Sequence, residues 1–328
     1  MSSTKMRFVV IGAGGWGTTL ANLLAETNEV SLWIRDPELL QKIQQDRENK
    51  KFLPGISLSP TLDLTNDKHI AEKAECVVFA VPSQFMRTTA ESFAPVISKN
   101  AIVVSIAKGL ELGTYKRMSQ VLKETLKTSR IAALSGPNHC EEVARKIPTA
   151  TVIASKEKAI LEQLKQAIER SYFKVYPHDD LIGVEICGSI KNIVAIASGI
   201  AVGLGLGDNA QGAIITYGLT EMNKFGRYFG SKQKTIYGLA GVGDLIATCT
   251  SEHSRNRRTG KMLAQGKSMP DIIRSMEGQV AEGITTAKAV YEFSKEQDID
   301  LPLTSQVYKV LYEKKELKKA IADLLNLI

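Results

Sequence analysis

Short apolar runs and amphipathic stretches alternate through the first part of the chain. The runs, rich in Val, Ile and Ala, are RFVVI (7–11), EVSLWI (29–34), CVVFAV (76–81), AIVVSI (101–106), RIAAL (130–134), TATVIA (149–154) and FKVY (173–176). Between most of them lie segments such as TYKRMSQVLKETLK and EKAILEQLKQAIER, whose apolar residues recur at spacings of three and four, the repeat of one helix face. Continuous apolar strands separated by helices predict a parallel sheet covered on both faces, so residues 1–181 are read as a doubly wound α/β domain.

After YPHDDLIG the strand pattern stops. The remainder of the chain is helical and rich in Ala, Gly and Ile, with a Gly-punctuated stretch around YGLAGVGDL, and it ends in LTSQVYKVLYEKKELKKAIADLLNLI. Residues 182–328 are therefore read as an all-α domain, with EKKELKK as a solvated helix face. Ile193–Gly207 is uncharged but falls short of the roughly 20 residues a bilayer requires, which predicts a buried core helix and no membrane span. Lys191 is the one charged residue between Ile186 and Gly207. On a helix it shares its face with Cys187, Gly188, Val194 and Ala195, none of them a counter-ion. Its partner must come from elsewhere in the fold or from a ligand. Burial would depress its proton affinity and make it an acid/base near neutrality, whereas a lysine that snorkels past small neighbours would have no such role.

Composition narrows the partners. The 328-residue chain carries 42 basic and 35 acidic residues, a net charge of +7 spread along its length, which suits small anionic ligands as well as nucleic acid. No aromatic residues interleave with the basic cluster at 255–258, so no nucleic-acid partner is expected. The four cysteines form no C-x-x-C pair and the four histidines have no ligand spacing; neither a disulfide framework nor a metal site is expected, and a reducing cytoplasmic compartment is. The apolar run starting at Phe8 breaks into glycines after four residues, unlike a secretory signal.

The glycines after that run carry chemistry. VVIGAGGWGTTLANLLAE places Gly12, Gly14 and Gly17 in G-x-G-x-x-G spacing between a strand and a helix, the context of a dinucleotide site. Such a turn lets backbone approach a pyrophosphate at a helix N-terminus. The next strand ends in Arg35 and Asp36; an arginine suits the 2′-phosphate of NADP and an acid the ribose hydroxyl of NAD, and Arg35 coming first favours NADP with NAD tolerated. Further loops at strand ends are VPSQ (81–84), AKGLE (107–111), which carries Lys108, and SGPN (135–138). Downstream, Asp244 is either a helix cap or an inward carboxylate. Ser254 precedes RNRRTGKMLAQG, read as a serine-capped helix whose N-terminus, with Arg255 and Asn256, is either a phosphate seat or an exposed basic face.

Together GAGGWGTTLA, VPSQ, SIAKGLE, SGPN, EICGSIKNIVAIASGIAVGLGLGDNA, YGLAGVGDLIATCTSEHSRNRR and EGITTAKAV resemble, in order and over nearly the whole chain, the NAD(P)-dependent glycerol-3-phosphate dehydrogenases of the bacterial type. The resemblance implies an N-terminal Rossmann-like domain, a helical C-terminal domain, and reversible reduction of dihydroxyacetone phosphate to sn-glycerol 3-phosphate. It implies Lys191 as the proton acceptor from the substrate hydroxyl, Lys108 and Asp244 assisting at the oxygens, Gly136 and Asn138 lining the pocket, and Ser254, Arg255 and Asn256 holding the phosphate. Gly15, Trp16, Arg35, Lys108, Cys140, Arg255, Val280 and Glu282 match positions that meet the cofactor. A homodimer and a supply of glycerol 3-phosphate to phospholipid synthesis are further expectations of the resemblance. Asn138 stands where the family usually has Ser or Thr, Cys140 where alanine is common, and Gln84 where many members have histidine. Related two-domain dehydrogenases acting on 3-hydroxy acids or 6-phosphogluconate, and a non-catalytic NADP sensor, are the competing readings; the serine–arginine segment argues against the first and the inward lysine against the second.

Overall fold

A computed structural model describes residues 5–276, 278–279 and 281–325. The first part runs β1 (Arg7–Ile11), α1 (Gly15–Leu24), β2 (Glu29–Trp33), α2 (Pro37–Asp46), β3 (Asp63–Thr65), β4 (Cys76–Phe79), α3 (Met86–Phe93), β5 (Ile102–Ser105), α4 (Met118–Leu126), β6 (Ile131–Ser135), α5 (Cys140–Ala144), β7 (Thr149–Ser155), α6 (Lys158–Ile168) and β8 (Phe173–His178). The strands form one sheet in the order β3-β2-β1-β4-β5-β6-β7-β8. Successive side chains alternate between its faces: Phe8 and Val10 enter one apolar core, Val9 and Ile11 the other, and both cores are closed by helices. Burial on both faces is why these strands read as unbroken apolar runs.

Two features depart from an all-parallel sheet of seven strands. Asp63–Thr65 adds an edge strand beside β2; three residues give too little pattern to show in the sequence. The β6–β7 pair is antiparallel, whereas β7–β8 is parallel. The β6–β7 connection contains only the five-residue α5, too short a helix for a full crossover, while the eleven-residue α6 carries the chain across between β7 and β8.

The second part is helical: α7 (Leu181–Gly203), α8 (Gly207–Tyr228), α9 (Gln233–Ile236), α10 (Asp244–Thr250), α11 (Arg255–Ala264), α12 (Met269–Ser275), α13 (Glu282–Glu296), α14 (Pro302–Tyr312) and α15 (Leu317–Leu325). Among the described residues α7 is the one helix long and apolar enough to cross a bilayer, and 89% of its most apolar window is buried inside the protein. It is a core helix, packed among Ile214, Met222, Phe225, Leu245, Val290 and Leu303.

The chain divides into two compact units, Met1–Ala107 with Met118–Leu181, and Lys108–Arg117 with Ile182–Ile328. The excursion 108–117 clusters with the second unit, although the sequence places it between strands of the first. Its Leu110 is fully buried in the second unit's core, a long-range contact that local composition does not reveal.

Candidate active site

In the first unit, Gly12 follows β1 at φ +113°, a left-handed value that favours glycine, and a Cβ there would lie 2.7 Å from the Ala80 carbonyl oxygen. A Cβ on Gly17 would lie 2.1 Å from the Gly12 oxygen, so this glycine is what lets α1 pack onto the turn. Gly14 differs, because nothing lies within 4 Å of where its Cβ would be. Gly14 is also the N-cap of α1, with no side-chain cap and no acidic residue in the first turn. The helix-end N–H groups thus keep their capacity for an anion approaching on the open side. These features fit a dinucleotide pyrophosphate.

Around this turn, Gly15 backs onto the Phe52 carbonyl and the Cys140 sulfur, which a Cβ would meet at 2.8 and 3.1 Å. Cys140 is buried at the start of α5. The half-buried Trp16 packs at 6.2 Å from the Phe173 ring, and its Nε1 is a buried donor without a partner. Arg35 is exposed just past β2. Asp36 caps α2, accepting from the Glu38 and Leu39 N–H groups at 3.0 and 3.4 Å. Gly136 has φ +143° and backs onto Thr151, whose hydroxyl accepts from Asn138 Nδ2 at 2.9 Å. The Asn138 side chain is thereby tied to β7 within its own unit.

The second unit contains a buried cluster of charged side chains built around Lys191. Lys191 lies on α7 and is 5% exposed, so it does not snorkel. Its ammonium donates to Asp244 Oδ1 at 2.7 Å and to Thr248 Oγ1 at 2.8 Å. Lys108 donates to the other carboxylate oxygen of Asp244, Oδ2, at 2.9 Å. Asp244 is the first residue of α10 and 2% exposed, hence an inward carboxylate and not the cap. It is delivered by a π-helical turn over Leu239–Gly243, in which the Gly243 N–H reaches back to the Gly238 carbonyl. Gly241 is forced there, since a Cβ would lie 1.9 Å from the Ile236 oxygen.

Two ammonium groups share one carboxylate, leaving the fully charged cluster with an excess of one positive charge. Burial drives Lys191 down to about 8 from its ordinary 10.5; Asp244 opposes this and Lys108 adds to it. Burial alone would raise Asp244, but the two lysines together hold it below the ordinary carboxylate value. Loss of one proton from Lys191 leaves a neutral Lys108–Asp244 pair. Lys191 is therefore the group that can exchange a proton near neutrality. An ammonium has three N–H donors, of which Asp244 and Thr248 take two.

The residues expected to hold a phosphate gather at the N-terminus of α11. Ser254 caps the helix, accepting from the Arg257 N–H at 3.2 Å. Arg255 follows at the first helical position and is half-buried. The Asn256 side chain is engaged elsewhere: its Nδ2 donates to Asn192 Oδ1 at 2.9 Å, and its Oδ1 accepts from the Gly283 N–H at 3.0 Å. Of the remaining arginines, Arg257 turns inward and pairs with Glu252. Glu282 opens α13 and accepts from the Lys108 N–H at 3.1 Å. Val280 lies outside the described residues.

Two participants escape a reading of the sequence. Asn192 donates to the Lys108 carbonyl at 3.0 Å as well as accepting from Asn256, so one amide beside Lys191 joins the Lys108 loop to α11. Thr248 is four residues beyond Asp244, on the same helix face, and that spacing is the one local signal of its role.

Residues 7–161 match the family described as NAD-dependent glycerol-3-phosphate dehydrogenase N-terminus, and residues 180–322 match its C-terminus. A glycerol-3-phosphate dehydrogenase (NAD(P)+) of Chlorobium limicola is 45% identical over 326 residues, covering 98% of each chain. The solved structure of glycerol-3-phosphate dehydrogenase from Coxiella burnetii is similar with a TM-score of 0.94 at 37% identity, covering 98% of this chain and 99% of that one. That of the Saccharomyces cerevisiae enzyme aligns with a TM-score of 0.84 at 31% identity, covering 98% and 99%.

Proposed function

The chain belongs to the NAD-dependent glycerol-3-phosphate dehydrogenase family, and we propose on that premise that it reversibly reduces dihydroxyacetone phosphate to sn-glycerol 3-phosphate with NADPH or NADH. The observation that carries this reading is the buried Lys191, held by Asp244 and Thr248. In reduction, Lys191 gives a proton to the oxygen on C2; in oxidation the neutral amine takes it back. Asp244 fixes the direction of the amine, and Lys108 supplies positive charge beside the same oxygen. Bound NAD(P)H supplies the hydride.

The helix-end N–H groups of α11, with Ser254 and Arg255, hold the substrate phosphate. Fixing this remote anion puts binding energy into orienting C2. Asn256 serves the seat through its backbone and by bracing α7 and α13. Gly136 and the SGPN backbone line the pocket, with Asn138 acting through that backbone. Gly12, Gly14, Gly15 and Gly17 seat the pyrophosphate, with Trp16, Lys108, Cys140, Arg255, Val280 and Glu282 as further cofactor contacts. Arg35 meets the 2′-phosphate of NADP. Because Asp36 is committed to its cap, NADP is the preferred coenzyme and NAD the tolerated one. Residues 1–181, less the 108–117 excursion, act as the cofactor domain and residues 182–328 as the substrate domain.

Four buried cysteines suit a reducing cytoplasm. The family reading extends to a homodimer that feeds glycerol 3-phosphate into phospholipid synthesis. The deciding assay follows loss of NADPH absorbance with dihydroxyacetone phosphate. Turnover is expected, with none when 6-phosphogluconate and NADP+ are supplied instead. A protein that binds NADPH yet turns over neither would be the sensor of the competing reading.

A further inference from the structure

Lys108 is not carried by a helix. It opens the excursion 108–117, in which Leu110 and Arg117 form an antiparallel bridge, the Glu111 N–H donates to the Lys116 carbonyl at 3.0 Å, and Tyr115 occupies φ +56°. This hairpin is fastened to the rest of the second unit at four points. The Lys108 carbonyl accepts from Asn192, and Leu110 is fully buried. The Arg117 guanidinium meets the Glu185 carboxylate, with both residues buried. At the turn, the Tyr115 hydroxyl donates to Glu296 at 2.7 Å while its ring lies edge-on to Phe293 at 5.5 Å. Asn192 and Glu185 both belong to α7, the helix of Lys191, so both ends of the hairpin are tied to the helix that carries the proton-transfer group.

A buried ion pair contributes little net stability over apolar residues of the same size. What it does supply is direction. We propose that the Arg117–Glu185 pair, backed by the Tyr115–Glu296 contact, is a positioning element that holds the 108–117 hairpin against α7 and so keeps the Lys108 ammonium on Asp244. The inference rests on the proton-transfer reading of Lys191 and adds that the strength of this acid/base is set from a distance.

The groups facing Lys191 are Asp244 from α10, Lys108 from the hairpin, and the Cys249 thiol, which burial pushes up to about 12 and so keeps neutral. Lys108 is the one group among them that lowers the proton affinity of Lys191 by its charge. If the hairpin loosens, Asp244 is left to Lys191 alone and that affinity rises.

The test measures the pH dependence of kcat for glycerol 3-phosphate oxidation. The double variant Arg117→Met/Glu185→Leu replaces the pair by apolar residues of similar size, a change that buried ion pairs commonly tolerate. Its rising limb should move to higher pH by about one unit, the scale of a lost charge neighbour. Tyr115→Phe should move it less, in the same direction, and serves by itself should the double variant fail to fold. Lys108→Met should produce the full shift, and adding the tether variants to it should move the limb no further, because coupled groups are non-additive. Folded tether variants that lower kcat without moving the limb, or whose shifts add to that of Lys108→Met, would overturn the inference. A wild-type enzyme with no limb near pH 8, unmoved by Lys108→Met, would instead refute the proton-transfer reading.

Discussion

A lysine in an apolar helix is costly unless its charge is met, and Lys191 is met by groups far away in sequence: Asp244 and Thr248. The same arrangement makes its removal tolerable to the fold. In Lys191→Met the carboxylate of Asp244 keeps Lys108, so no buried charge is left unpaired, and the flexible Met fills the slot. The variant should therefore fold and bind phosphate, with kcat reduced by roughly 10² to 10⁴, the usual contribution of a positioned acid/base. The wild type should show opposite pH trends for the two directions. Oxidation needs the neutral amine, so its rate rises as pH passes about 8, whereas reduction needs the ammonium and falls over the same interval. Steady-state kcat in both directions, at pH values on either side of 8, checks this; parallel trends would remove Lys191 from the proton path.

Among the elements, α14 shows how a helix can depend on one side chain from another. Its N-terminus has no cap of its own. Glu221 of α8 supplies it, accepting from the Leu303 N–H, from the Thr304 N–H at 3.0 Å and from the Thr304 hydroxyl at 2.7 Å. Burial pushes Glu221 up to about 7 from 4.5, against the pull of these three hydrogen bonds. Glu221→Ala should strip the cap and lower stability by about 1 to 3 kcal/mol, the cost of stranded buried donors. A carboxyl raised in the folded state contributes stability that is full below 4.5 and is lost as pH rises through 7. The wild-type advantage over Glu221→Ala in urea unfolding should accordingly grow as pH falls from 7 towards 4.5. A constant difference across that window would mean that the three hydrogen bonds hold the group ionised throughout.

At the scale of the whole molecule, the sequence discloses most where chemistry is local. The glycine turn, the Ser254 cap and the isolated Lys191 depend on neighbours a few positions away, and each can be read directly. Strands buried on both faces announce themselves by unbroken apolar runs, while Asp63–Thr65, an edge strand of three residues, has too little pattern to do so. Partnerships across long separations stay hidden: Lys191 with Asp244, Arg117 with Glu185, and the transfer of 108–117 to the second unit each join positions that no local spacing relates. That separation has a consequence for ligand binding. The glycine turn and Arg35 belong to the first unit and Lys191 to the second, and Lys191 is not one of the proposed cofactor contacts, so its loss should leave coenzyme binding measurable. NADPH at a hundred times its Kd stabilises a protein by about 2.7 kcal/mol, and Lys191→Met should retain that protection in thermal unfolding although its turnover is lost. Arg35→Ala should do the reverse, losing most of its affinity for NADPH but little for NADH, with kcat for saturating NADH preserved. Loss of NADPH protection in Lys191→Met, in a chain that otherwise unfolds as wild type, would mean that the dinucleotide draws on Lys191 itself for its binding and that turnover and coenzyme binding are not separable at this residue.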